Sequence, residues 1–222
     1  LHHLQRRYDH HHGDVGVGSR AVSRATPSQL PEKIGNLLQE SRWLALGAVA
    51  LFLSMALWGF HQDDPGWSHA VVSGTPHNPT GRAGAWIADL LLYLFGFSAW
   101  WWIVLLAMFV WWGFHRLNAP RAADRRPLYI ALAGFALLLI ASSALEALRF
   151  HTLKAALPLN PGGLLGFEAS RLLAHLLGHT GSTLLLLAAM AAGWSIFSGM
   201  SWLWAFERLG ALVEGAFGLF YG

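Results

Sequence analysis

The chain has 222 residues, of which 55% are hydrophobic and only 12% charged. Soluble domains carry about a quarter charged residues, so the composition excludes an ordinary soluble protein. The net charge of +3 is too small to point to a partner. The lack of cysteine excludes a disulfide framework and thiolate metal sites. Twelve Trp against four Tyr suit a chain with membrane interfaces.

Residues 1–42 are polar and basic, with Arg6, Arg7, Arg20, Arg24, Lys33 and Arg42. Leu1 to Gln29 reads as disordered, and Pro31 to Glu40 as a short helix on the membrane surface. His2, His3, His10, His11 and His12 form a tract of the kind that binds metal or simply belongs to an unordered tail. No signal-peptide pattern opens the chain. It starts at Leu1 and stops at Gly222 inside an apolar helical pattern, so it is expected to be a piece of a longer protein.

Trp43 to Phe60 is uncharged and predicts a first span, about 27 Å long at ~1.5 Å per residue. A polar loop with Asp63, Asp64 and Arg82 follows. Gly84 to Phe114 is apolar almost throughout, yet as one helix it would run about 46 Å, too long for a hydrocarbon core. Gly96 divides it into a short helix, Gly84 to Phe95, and a second span, Phe97 to Phe114. A basic connection with Arg116, Arg121, Arg125 and Arg126 leads to a third span, Leu128 to Leu148, with Glu146 near its end at headgroup level. A second long loop carries Arg149 and Lys154 and leads to a short helix, Leu164 to Leu177, which holds Arg171. The fourth span is Ser182 to Met200. Trp202, Phe206, Leu209, Val213, Phe217 and Phe220 then recur at helical spacing, with Glu207, Arg208 and Glu214 off the stripe. This predicts a cytoplasmic interfacial helix over 201–222.

The organisation expected is therefore a basic segment at 1–42, a membrane domain at 43–200 and the closing helix. The fold class is all-α integral membrane, with four transmembrane helices at about 43–60, 97–114, 128–148 and 182–200. Eleven basic residues fall on one side of this arrangement and four on the other, which places both termini in the cytoplasm.

An internal repeat is visible. Asn78-Pro79-Thr80-Gly81, followed by Gly84, matches Asn160-Pro161-Gly162-Gly163, followed by Gly166, at an offset of 82 residues. Leu90, Leu91, Leu94 and Gly96 then match Leu172, Leu173, Leu176 and Gly178. The unit is span, outer loop, Asn-Pro turn, short interfacial or re-entrant helix, Gly break, span, occurring twice in parallel. Pro stiffens each turn, Asn is placed to cap the helix, and the glycines allow close approach. Asp89 and Arg171 occupy equivalent positions with opposite charge, which suggests a pair between the short helices. Two separate headgroup-level charges are the alternative.

Asp64-Pro65-Gly66-Trp67-Ser68, His77-Asn78 to Gly81 and Gly84-Ala85-Trp86-Ile87-Ala88-Asp89 closely resemble the N-terminal four-span membrane domain of the FtsK family of bacterial DNA translocases. Gly162 to Gly166, Gly178 to Thr183 and Ala191 to Trp202 are also similar to it, so the resemblance covers about 43–210. It implies a membrane anchor and interaction domain that tethers a cytoplasmic ATP-driven motor to the division septum and takes part in cell division and chromosome segregation. It implies the bacterial inner membrane, divisome membrane proteins as partners beside the lipid bilayer, and a homo-oligomer, a hexamer. No Gly-x-x-x-x-Gly-Lys-Ser/Thr phosphate loop occurs in the chain. ATP, Mg and DNA are therefore expected only for a motor outside it, and no catalytic, cofactor or metal residue is assigned. The structural and interaction candidates are Asp64, Trp67, Asn78, Gly81, Gly84, Trp86, Asp89, Asn160, Gly163, Gly166 and Arg171. Gly193 and Gly199, near Ala189 and Ala192, are candidates for close helix contact.

Two other readings compete. Paired Asn-Pro turns leading into short helices suggest a small channel or transporter, although the spans hold few polar residues besides Ser54 and Ser98. His175 and His179 have the i, i+4 spacing of a metal pair, but no Glu-x-x-His frame accompanies them.

Overall fold

The computed structural model describes residues 30–70, 74–118, 128–150 and 156–221. The histidine tract, the part of the basic connection beyond Asn118, and Lys154 lie outside them. The chain divides into two units, Leu1–Leu38 and Gln39–Gly222. The described part of the first is the opening turns of α1. The packing and contacts described below are those of the second.

Every regular element among the described residues is helical. Helix α1 is Leu30–Trp58, α2 is Gly81–Phe95, α3 is Trp101–Asn118, α4 is Leu128–Arg149, α5 is Gly163–Ser198 and α6 is Trp202–Tyr221, with a 3₁₀ segment at Gly96–Trp100 between α2 and α3. Pro31 to Glu40, expected as a separate surface helix, is instead continuous with α1. Among the described residues, four stretches are long and apolar enough to cross a membrane: Leu37–Trp58, Gly81–His115, Leu128–Arg149 and Gly163–Ser198.

Two of these are too long to be simple spans. The 36 residues of α5 would extend about 54 Å as one rod. Each is broken by a glycine where the repeat places one. Gly96 closes α2 at φ 61°, ψ −141°, and Gly178 interrupts α5 at φ 67°, ψ 175°. A side chain at either position would be forced into a sparsely allowed region, so glycine is the residue that turns the chain there. The break divides α5 into α5a, 163–177, and α5b, 179–198. The turns ahead of α2 and α5a are also equivalent: Gly81 N–H donates to the Asn78 carbonyl and Gly163 N–H to the Asn160 carbonyl, both at 2.9 Å.

The core centres on α4. Half of its span is buried, against 17% for α1. Phe135, Leu138 and Leu139 of α4 pack with Leu105 of α3 and Phe197 of α5b. Trp102 meets Phe135 at 5.3 Å and Phe135 meets Phe197 at 5.5 Å, edge-on or tilted as aromatic pairs prefer. Trp102, Trp112 and Trp194 are thus packing residues, and Trp102 Nε1 is buried without a partner among the described residues. A role as headgroup anchors does not fit them. The α4–α5b crossing is close because both sides are small. A Cβ on Gly193 would lie 2.7 Å from Leu138 N and 3.0 Å from the Gly134 carbonyl. Gly193 therefore makes the contact expected of it, while Gly199 ends α5 in the left-handed region.

Helix α1 makes bulky contacts at both ends, Trp43 over Gly113 of α3 and Trp58 against Trp100 of the 3₁₀ segment. Helix α6 exposes Leu203 and Leu212 as well as Trp202, Phe206, Leu209 and Val213. Its apolar surface is therefore wider than the single stripe expected, and the side chains of Phe217 and Phe220 lie outside the described residues.

Candidate functional site

The ends of α1 and α4 share one face with α2, α5a and the connecting loops. Ala56 and Leu57 of α1 bury against Ala88 and Leu92 of α2, with Ala99 and Leu157. Gln62 Nε2 donates to the Leu157 carbonyl at 3.1 Å, joining the two loops.

Three buried carboxylates organise this face. Glu146 of α4 accepts from Phe97 N–H at 2.8 Å, Ser98 N–H at 3.0 Å, Ser98 Oγ at 2.9 Å and Gly162 N–H at 2.7 Å. It therefore holds the start of the segment leading into α3 and the start of α5a at once. Helix starts present unpaired N–H groups and partial positive charge, which suits an anion. Glu146 is 6% exposed, so the expectation that it reaches headgroups is corrected. The N–H donors replace the water it gives up.

Asp64 accepts from His77 N–H at 2.6 Å, His77 Nδ1 at 3.0 Å and Asn78 N–H at 2.8 Å. Burial pushes its carboxyl up, but the His77 backbone and ring and the Asn78 N–H outweigh that and hold it below the ordinary 3.8. Asp89 of α2 accepts from Ser68 N–H at 2.6 Å and Ser68 Oγ at 3.0 Å. Gly66 passes so close that a Cβ there would lie 2.5 Å from Asp89 Cγ. Asp64 thus ties its own stretch of loop to His77 and Asn78, and Asp89 docks Ser68 onto α2.

The sequence candidates divide accordingly. Asp64, Asn78 and Gly84 meet around the start of α2, while Asp89, two turns further along the helix, holds Ser68. Asn78 does not cap that helix, since Thr80 occupies the capping position without a side-chain cap bond. Its amide instead donates to the Ala56 carbonyl at 2.8 Å, and its oxygen accepts from Thr80 N–H at 3.0 Å. The loop around Asn78 is thereby bonded to α1. Gly81 opens α2 at φ 73°. A Cβ on Gly84 would strike Thr80 and approach Ala56 of α1.

In the second copy, Gly163 abuts Leu94 and Phe95 at the end of α2, and Gly166 abuts the Ser143 backbone of α4. Asn160 is exposed and does not reproduce the side-chain role of Asn78. Trp67 is half exposed and rests on Tyr93, 5.1 Å away. Trp86 is also half exposed, on the opposite side of α2 from its buried stripe.

Asp89 and Arg171 do not pair. Asp89 is bonded to Ser68, while Arg171 is exposed and pairs with Glu168 one turn away at 3.3 Å. The physical reason is the order of the two short helices. Helix α5a begins where α2 ends, so equivalent positions are displaced along the face. The same order separates this arrangement from a channel of facing half-helices, because the start of α5a meets the end of α2.

His175 of α5a and His179 at the start of α5b are both exposed, with the Gly178 break between them. Among the described residues no group of three or more His, Cys, Asp or Glu is placed to hold a metal. A volume of about 590 Å³ opens beside Glu168, Arg171 and His175 on that surface.

Glu146, Ser68, Ser98 and Ser143 were not among the candidates. One signal for Glu146 was present: it follows Asp64 by the same 82 residues that separate the two Asn-Pro turns. The arrangement of the carboxylates fixes backbone positions, since each accepts from main-chain N–H groups.

A model of the family described as the 4TM region of DNA translocase FtsK/SpoIIIE matches residues 35–210. The chain is 46% identical over 201 residues to DNA translocase FtsK 2 of Ralstonia nicotianae, covering 88% of this chain and 26% of that protein. It is 34% identical over 204 residues to DNA translocase FtsK of Pseudomonas syringae, covering 90% and 25%. With DNA translocase FtsK 1 of Neisseria meningitidis it shares 34% over 193 residues, covering 85% and 24%. The chain thus spans about a quarter of the length of these curated relatives. No solved structure matches it.

Proposed function

The chain belongs to the family of the four-span region of FtsK/SpoIIIE DNA translocases, and on that premise we propose that it is the membrane anchor and interaction domain of such a translocase. The observation that carries this reading is the family match over 35–210, which coincides with four helices able to cross a membrane. The relatives are named as DNA translocases and are about four times longer than the stretch they share with this chain. A cytoplasmic motor, with its ATP, magnesium and DNA, belongs in this proposal to the remainder of such a protein.

The domain sits in the bacterial inner membrane at the division septum, with both termini cytoplasmic. The positive-inside bias supports that orientation and puts the carboxylate-tied face in the periplasm. There Trp67, Trp86 and Arg82 form the exposed surface offered to divisome membrane proteins. A homo-oligomer, hexameric as the motor requires, completes the reading.

The test replaces the membrane region of a relative by residues 1–222 of this chain, with a fluorescent tag. A ring at the septum is expected, and uniform membrane fluorescence would overturn septal tethering. Because the chain has no cysteine, single cysteines report orientation directly. Ala70→Cys is expected to react with an impermeant maleimide in intact cells, and Ala122→Cys only after lysis. The reverse pattern would invert the topology.

A further inference from the structure

The network around Asp89 contains more acceptors than ordinary protonation states can satisfy. Ser68 Oγ lies 3.0 Å from Asp89 Oδ1 and 2.9 Å from His69 Nδ1, and His69 Nε2 lies 2.7 Å from the Gln62 carbonyl oxygen. Each of these three contacts needs a hydrogen. The Gln62 carbonyl only accepts, so His69 Nε2 must donate. An ionised Asp89 only accepts, so the Ser68 hydroxyl must donate to it. That hydroxyl hydrogen is then used. The contact between Ser68 Oγ and His69 Nδ1 requires a second imidazole hydrogen, which makes His69 an imidazolium facing Asp89 across 3.9 Å. If the hydroxyl instead donates to His69 Nδ1, the proton must sit on Asp89 and be donated to Ser68 Oγ. Both assignments contain one proton more than an aspartate and a neutral histidine. Without it, two acceptors oppose each other in one of the three contacts, an arrangement that costs free energy.

We infer that Ser68, His69 and Asp89 form a proton-binding site that latches the Gln62 to His69 loop onto α2. Asp89 is 1% exposed, so it cannot relieve the mismatch by turning to water, whereas the half-exposed His69 can swing out. The charged groups nearby are otherwise engaged or apart. Asp64 is held by His77, His77 meets His61 edge-on, Asp63 is exposed in the same loop, Tyr93 of α2 lies against Trp67, and Arg82 is exposed at the start of α2. Because the closed loop holds one proton more than the open one, closure is favoured at low pH. Closure weakens by up to tenfold per pH unit over the range in which the closed loop keeps that proton and the open loop has lost it, and levels off once the closed loop loses it too. The loop carries Trp67, so the latch regulates how this face is presented. If the face is periplasmic, as proposed above, the latch reads the pH outside the cytoplasmic membrane.

The test is amide exchange of the full 222-residue chain in lipid nanodiscs, corrected for intrinsic exchange rates. Protection of the Ser68 amide is expected to fall at least tenfold between pH 6 and pH 8, with α4 amides unchanged. His69→Gln is expected to abolish that dependence, and His77→Gln to retain it. Imidazole ¹⁵N spectra of the unmutated chain supply a second readout that needs no variant. A proton shared within the network while Ser68 is protected supports the site. A neutral His69 and ionised Asp89 with Ser68 still protected, or a pH dependence that survives His69→Gln, would overturn it. None of these readouts depends on septal tethering, so failure of the latch and failure of the anchor reading are distinguishable.

Discussion

Glu146 Oε1 and the Gly162 N–H are 2.7 Å apart, and the same oxygen accepts from Phe97 N–H at 2.8 Å. One carboxylate thus joins the two halves of the repeat where each enters a new helix. Glu146→Gln keeps the shape but turns an amide NH₂ toward backbone donors. The loss is expected to be about 2–3 kcal/mol, since bonds to a charged acceptor are lost and buried N–H groups are left unpaired. Unfolding of the purified domain by a denaturing detergent checks this. A midpoint equal to that of the unmutated domain would show that Glu146 ties nothing.

Asp64 predicts a specific acid limb. Its folded carboxyl lies below the ordinary 3.8 because the His77 and Asn78 donors outweigh burial. A lowered carboxyl contributes stability that is present above the unfolded value, about 3.9, and lost as pH falls through the folded one. The contribution should therefore be level from pH 7 to about pH 5 and fade only in stronger acid. Thermal unfolding between pH 6 and pH 2.5 is expected to show this limb, and Asp64→Asn to flatten it.

The close helix crossings can be tested by adding a single methyl group. Gly166→Ala meets the Ser143 backbone and Gly193→Ala meets Leu138 N. Each is expected to destabilise by about 1–3 kcal/mol, as overpacking against an immobile backbone does. Gly210→Ala has open space around it and is expected to be neutral or to stabilise α6 by up to ~1 kcal/mol. Equal effects at all three positions would refute the crossings.

Asp89→Asn is expected to cost about 1–3 kcal/mol by weakening the Ser68 bonds. Arg171→Gln removes an exposed pair with Glu168 and an exposed cation–π contact with Phe167 and should change stability by less than about 1 kcal/mol. The double variant should be additive within about 0.5 kcal/mol, because the two residues share no partner. A coupling energy well above that would restore the cross-repeat pair.

The sequence by itself determined the parts of this protein that depend on local physics. Four apolar stretches must leave water, and hydrocarbon admits helices, so number and type of elements followed from length and composition. Glycines at 96 and 178 divided the overlong stretches because no other residue occupies their backbone conformation without strain. The motifs around Asp64, Asn78 and Asp89 marked the face that is most built. Tertiary structure decided which groups meet. Asn78 reaches the Ala56 carbonyl across a loop, Asp89 takes Ser68 rather than Arg171, and Glu146 turns inward to two chain segments. A buried carboxylate goes where unpaired N–H groups converge, and that convergence exists only once α2, α4 and α5 are packed. Spacing in a sequence names the donors on one segment, while the acceptor they share is chosen by segments 16 to 49 residues away.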